Sequence, residues 1–150
     1  MRALVQRVLE AKVEVRAPSG ERELTGAIGP GLCVLVGVAR TDTAANAVKL
    51  AAKVWGLRVM DDDRGVMNRS VGETTGAVLV VSQFTLYGNT DRGRRPSWLD
   101  AAPPEEAEPL VRAFADELRR LGATVAEGRF RAEMLVSLVN DGPVTLLLEL

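Results

Sequence analysis

The chain has 150 residues, with 19 Lys+Arg against 20 Asp+Glu for a formal net charge of −1, one cysteine (Cys33) and no histidine. A lone cysteine excludes an internal disulfide and a CxxC redox or zinc cluster, and the missing imidazole excludes Ser–His–Asp and Cys–His nucleophile activation. The near-zero net charge supplies no global field for nucleic acid, so any RNA contact has to be local.

The composition, 47% hydrophobic and 26% charged, predicts one folded domain over 1–150 that removes roughly 70% of its unfolded surface from water. Residues 1–16 alternate apolar and polar side chains, with Leu4, Val8, Val13 and Val15 among the expected inward positions. That pattern predicts one or two half-buried strands. The stretch carries charge throughout, unlike a signal peptide. No uncharged run approaches the ~20 residues of a membrane span, so a cytoplasmic protein is expected. Pro18-Ser19-Gly20 marks a turn, and 21–28 reads as a returning strand. After Gly29-Pro30-Gly31, residues 32–39 (LCVLVGVA) are an unbroken apolar run, as for a central strand covered on both faces.

Residues 43–57 carry the helical period through Ala44, Val48, Leu50, Ala51, Val54 and Trp55, with Thr41, Asp42 or Thr43 as N-cap. A short strand at 58–60 meets the acidic turn Asp61-Asp62-Asp63-Arg64-Gly65. In a calcium loop the glycine stands sixth and a glutamate twelfth; here glycine is fifth and Gly72 is twelfth, so the segment reads as a solvated turn. The second apolar run, 77–86, predicts another buried strand whose end turns polar at Ser82-Gln83. The long loop 88–104 contains Arg92, Arg94, Arg95 and Trp98. Such loops are usually functional or mobile, and three guanidiniums could grip a phosphate backbone, although a solvated charged loop has the same composition.

Pro103-Pro104-Glu105-Glu106 opens a second helix to about residue 121, acidic at its start and basic at Arg119 and Arg120, with Gly122 as C-cap. Three strands near 123–128, 133–139 and 143–149 finish the chain, and Asn140-Asp141-Gly142 is the last turn. Some eight strands clustered at the two ends, with two helices, predict an α+β fold: a curled, mainly antiparallel sheet or barrel.

Few motifs carry chemistry. Gly29-Pro30-Gly31 with Gly37 fits no phosphate-loop spacing and leads into a strand. Ser82-Gln83-Phe84-Thr85 breaks the most apolar strand with groups that need backbone partners or a pocket. Asn140-Asp141-Gly142-Pro143-Val144-Thr145, taken alone, is an ordinary turn device. Together, SQFTLYG (82–88) and NDGPVT (140–145) resemble the two signature motifs of the D-aminoacyl-tRNA deacylases. MRALVQRV, GLCVLVGVARTDT, LRVMDDDRGVMNRSV, RRPSWLDAAPPEEA and MLVSLVNDGPVT extend the resemblance over nearly the whole chain. One departure stands after Phe130, where Arg131-Ala132 replaces the family's usual Gly-Ala.

The resemblance implies hydrolysis of the ester that joins a D-amino acid to the 3′-terminal adenosine of a tRNA, with glycyl-tRNA as a further substrate. It implies a homodimer without metal or other cofactor. Ser82, Gln83, Phe84 and Thr85 match its catalytic positions, and Arg7, Phe130, Met134, Gly142 and Pro143 its substrate-binding ones. A Gly142–cis-Pro143 pair held by Arg7 would enter the partner's pocket and reject L-side chains by backbone overlap. Without imidazole, the N–H groups around Gln83 and Phe84 are the expected oxyanion donors. Thr85 either attacks the ester or only shapes the pocket; with no base to activate it, assistance from the adenosine 2′-OH is expected instead. The intact SQFT argues for the D-specific branch over relatives with a trans Gly-Pro. Rival readings are a non-catalytic small-molecule binder and a general RNA-binding module, the latter disfavoured by charge and the absence of RRM, KH or OB signatures.

Overall fold

Apolar alternation at both ends of the chain and two unbroken apolar runs between them build a curled mixed sheet with two helices. The computed structural model describes residues 1–91 and 93–150. Its elements are β1 (Arg2–Arg16), β2 (Arg22–Ile28), β3 (Gly31–Gly37), α1 (Ala44–Trp55), β4 (Met60–Asp61), β5 (Met67–Arg69), β6 (Ala77–Ser82), α2 (Pro104–Arg120), β7 (Val125–Glu127) and β8 (Met134–Glu149). Antiparallel β8 lies along one edge of β1; β3 and then β2, also antiparallel, share the other. Beyond β3 the sheet continues in parallel through β6 and β7. The α+β expectation holds, with a parallel portion where helical crossovers return the chain to the same end of the sheet.

Two apolar clusters sit on the two faces of β3 and β6. Leu32, Val34, Val36, Val78 and Val80 pack with helix residues such as Leu50 and Phe114, whereas Cys33, Leu79 and Val81 pack inside the curl. Neither strand has a solvated face, which is why both read as continuous apolar runs. Strand β1 serves both clusters by changing parity. Ala3 and Val5 join the helix side, while Val8, Ala11 and Val13 join the interior of the curl. A register shift between Val8 and Glu10 leaves Leu9 without a partner, and the extra residue exchanges the faces of all later side chains. Leu4 is therefore half-buried, outside the core expected from simple alternation.

The helix ends follow local chemistry. Thr43 and Asn46 form a reciprocal capping box at α1. At the end of α2, Gly122 N–H donates to Arg119 O (2.9 Å) and Ala123 N–H to Leu118 O (2.9 Å), the two bonds of a Schellman closure. The curl closes where β2 approaches β7: a Cβ at Gly26 would stand 2.7 Å from the Glu127 carbonyl oxygen. No helix among the described residues is long and apolar enough to cross a membrane.

Three sequence expectations change. The strand expected at 77–86 ends at Ser82, because β3 ends at Gly37 and the ladder has no further template; Phe84–Tyr87 coil into a single 3-10 turn. The strand expected at 58–60 is β4, shifted onto Asp61 and paired with β5 across the acidic turn. Asp62 makes that hairpin by accepting the amides of Arg64 (2.9 Å) and Val66 (3.1 Å). Finally, 133–139 and 143–149 are one strand. Asn140-Asp141-Gly142 is not a turn between them but part of a bulge in β8, spanned by the unbroken partner β1.

Candidate functional site

Strands β3 and β6 stop side by side, and beyond their ends lies a cavity of about 630 Å3. Its walls come from those strand ends, the 3-10 turn, residues 98–104, the first half of α2 and residues 130–136. Five sequence-nominated residues line it: Ser82, Gln83 and Phe84 on one side of the chain's fold, Phe130 and Met134 from the segment entering β8. Most of the remaining wall is apolar and small, as at Ala101, Ala102, Pro103 and Ala107. Such residues give no chemical signal in a sequence, so these lining positions went unmarked.

The 3-10 turn sets the polar groups of the site. Gln83 N–H donates to Val36 O at 2.7 Å, the last link to β3. That amide is occupied, which removes Gln83 from the expected oxyanion donors. The amides of Phe84 and Thr85 begin the turn and have no hydrogen-bond partner among the described residues, as the first donors of a helical turn must. Of these two, only Phe84 lies on the cavity wall, which leaves its amide as the candidate donor. Gln83 Nε2 donates to Thr85 Oγ1, and Thr85 does not line the cavity. Phe84 meets Trp98 edge-to-face at 5.3 Å between centroids. Mutual backbone bonds of 2.8 Å between Asn89 and Ser97 close the loop that carries Trp98.

Electrostatically the wall is one-sided, with the guanidiniums of Arg40 and Arg131 and no carboxylate among the described residues. Arg40 Nε donates to Leu99 O at 2.7 Å. The described residues of the wall include no histidine, cysteine or carboxylate. Burial pushes the Cys33 thiol up to about 11 and the Tyr87 phenol up to about 12, and both lie off the cavity.

Arg7, Gly142 and Pro143 assemble elsewhere. In the β1–β8 pairing, Gln6 faces Thr145 and Val8 faces Asn140, so residues 141–144 bulge out opposite Arg7. The buried Arg7 donates from Nη1 to Val59 O (2.8 Å) and Asp61 Oδ1 (2.9 Å) and from Nε to the carbonyl O of Asp141 (3.2 Å), and its Nε is ion-paired with Asp141 Oδ2 at 2.9 Å. Asn140 Nδ2 spans the base of the bulge, donating to Arg7 O (3.0 Å) and Val144 O (3.1 Å). Between these clamps the Gly142–Pro143 bond is cis, and both residues are exposed and absent from this chain's own cavity. Asn140, expected within a turn, instead ties the base of the bulge to β1.

Arg94 and Arg95 are exposed and off the cavity; Arg92 lies outside the described residues. In the acidic turn each carboxylate is engaged within the chain: Asp61 by Arg7, Asp62 by backbone amides and Asp63 by Arg69.

A family model described as D-Tyr-tRNA(Tyr) deacylase matches residues 4–149. The D-aminoacyl-tRNA deacylase of Heliobacterium modesticaldum is 55% identical over 149 residues, covering 99% of this chain and 96% of its own. That of Mycolicibacterium smegmatis is 56% identical and covers all of both chains. Among solved structures, a c-Myc DNA unwinding element binding protein superposes with a TM-score of 0.90 at 39% identity, covering 99% of this chain and 98% of its own. A probable eukaryotic D-amino acid tRNA deacylase shares the fold, with a TM-score of 0.82 at 15% identity over 98% of this chain and 97% of its own.

Proposed function

The chain belongs to the D-Tyr-tRNA(Tyr) deacylase family, and from that membership we propose how its cavity acts on an aminoacyl-tRNA. The reaction is hydrolysis of the ester bond in D-aminoacyl-tRNA, which releases the D-amino acid and tRNA. The 3′-terminal adenosine and its aminoacyl group occupy the cavity beyond β3 and β6. The N–H of Phe84, on the cavity wall, receives the oxyanion that forms when water adds to the ester carbonyl, a preorganised donor being worth about 3–4 kcal/mol. The observation that carries this reading is the unpartnered Phe84 amide beside a wall whose described residues include no histidine, cysteine or carboxylate.

The adenosine 2′-OH, next to the scissile ester, assists the water. Thr85 shapes the turn, in keeping with its hydroxyl accepting from Gln83 and its place off the cavity wall. Chirality is read by a second copy of the chain. Gly142 and Pro143, exposed in their own subunit, reach into the partner's cavity, where their carbonyls overlap an L-side chain and leave a D-side chain free. Glycine, with no side chain to reject, passes the same filter. The exposed Val139, Leu146 and Leu147 on β8 are consistent with a homodimer built around that strand.

Matched D- and L-Tyr-tRNA test the reading: the D-ester is hydrolysed and the L-ester survives. Equal hydrolysis of both would remove the backbone filter. Thr85→Ala retains substantial activity, whereas a 2′-deoxy terminal adenosine abolishes it. An inactive Thr85→Ala protein that folds and binds substrate normally would return the threonine to the chemistry.

A further inference from the structure

The charge on the cavity wall is not explained by hydrolysis alone. Two ion pairs flank it within the chain: Arg129 pairs with Glu23, and Glu133 with Arg16. Arg131, between those two pairs, is exposed, lines the cavity and makes no hydrogen bond or ion pair among the described residues. Its φ is +60°, and among the described residues it is the one non-glycine residue with a positive φ. Glycine would occupy that conformation with less strain, so the arginine has no local advantage for the turn.

A reason appears when the substrate's charges are placed against the wall, an argument that rests on the deacylase reading above. The aminoacyl end carries an α-ammonium, and its carboxyl is esterified and neutral; adenine and ribose are neutral. The only anions are the phosphodiesters. Two guanidiniums without a carboxylate repel the ammonium and attract phosphate. We propose that Arg131 is a substrate-binding residue that grips the phosphodiester leading into the terminal adenosine. The contact sets the polarity of the substrate, with phosphate at the open side beside Arg131 and the aminoacyl ester inward towards Phe84. Arg40, on the same wall, adds to the field.

The test compares D-Tyr-tRNA with D-tyrosyl-adenosine, an ester of the same chemistry without phosphate. On the tRNA ester, Arg131→Gln raises KM roughly tenfold at low salt, as loss of a charged hydrogen bond implies, and leaves kcat unchanged. The slope of log KM against log salt falls by about 0.7, the value for one phosphate contact on a single strand. On the nucleoside ester, native protein and variant behave alike. Arg131→Gly shows the same KM rise while melting no lower than native, because glycine suits the backbone there; this separates binding from folding. An equal KM rise on both esters, or none on the tRNA ester, would overturn the phosphate assignment while leaving deacylation intact. Native protein inactive on both esters would overturn the deacylase reading and this inference with it.

Discussion

Arg7 donates to three oxygens, on Val59, Asp61 and Asp141, and is ion-paired with the Asp141 carboxylate, while its own carbonyl accepts from Asn140. It is buried at 7% exposure, but the carboxylates it meets are nearly half exposed and rehydrate if it is lost. Arg7→Met therefore removes hydrogen bonds without stranding a buried charge, and the expected loss of stability is about 1–3 kcal/mol, read from the urea midpoint. Deacylation falls further than stability does, because the bulge bearing Gly142 and Pro143 loses its clamp. Arg7→Lys recovers part of both, since one ammonium cannot span the two sides of the fork. An unchanged midpoint for Arg7→Met would contradict this assignment. At this scale the hydroxyl and amide side chains of Ser82, Gln83 and Thr85 stand out in the sequence by their misfit with an apolar strand, and Ser82 and Gln83 line the cavity whereas Thr85 does not. The sequence could not reveal that the Gln83 amide is taken, because Val36 is its partner only once β3 and β6 pair.

At the scale of elements, local patterns succeeded where one neighbour decided the outcome and failed where two did. The capping box at Thr43 and the Schellman closure after α2 involve residues within a few positions. The bulge in β8 depends on a partner more than a hundred residues away: β1 runs straight past residues 141–144, so a segment that reads locally as a turn is held inside a strand. Closure of the curl is equally non-local. A methyl group at Gly26 has no room against the Glu127 carbonyl, and backbone on both sides leaves no flexible side chain to yield. Gly26→Ala is expected to destabilise by about 1–3 kcal/mol, in the range of overpacked sites, while Gly29→Ala, with nothing within 4 Å of its Cβ, is near neutral. Paired thermal melts compare the two; equal effects would mean that the sheet does not close at residue 26.

For the whole molecule, the titrating groups predict a bounded pH range of stability. Burial raises the Cys33 thiol from 9.0 to about 11, and burial, followed by the Asp42 carboxylate, raises the Tyr87 phenol from 10.0 to about 12. Above pH 9 the unfolded chain loses protons that the folded chain keeps, so stability present below that pH declines as pH rises towards the folded values. Cys33 accounts for roughly 3 kcal/mol of this decline at most. On the acid side, Glu23 is held low by its hydrogen bond to Arg129, and Glu73 by the Ser70 amide. Their stabilisation is present above the ordinary 4.5 and is lost as pH falls through the lowered values. Urea midpoints should be flat between about pH 6 and 8.5 and fall on both sides. Cys33→Ala should flatten the alkaline limb relative to its own neutral value; an unaltered limb would show that the thiol ionises normally in the fold.

By itself the sequence determined the class of fold, the two helices, the two strands buried on both faces, and the polar motif that ends one of them. These follow from periodicity, capping and apolar content, all of which act over a few residues. Only the tertiary structure decided which faces β1 presents, that β8 runs unbroken through Gly142 and Pro143, and that the Phe84 amide is left open beside a cavity whose charged groups, among the described residues, are guanidiniums. Those outcomes depend on register and on the meeting of distant strands, where a one-residue slip changes every later contact and leaves no mark in local composition.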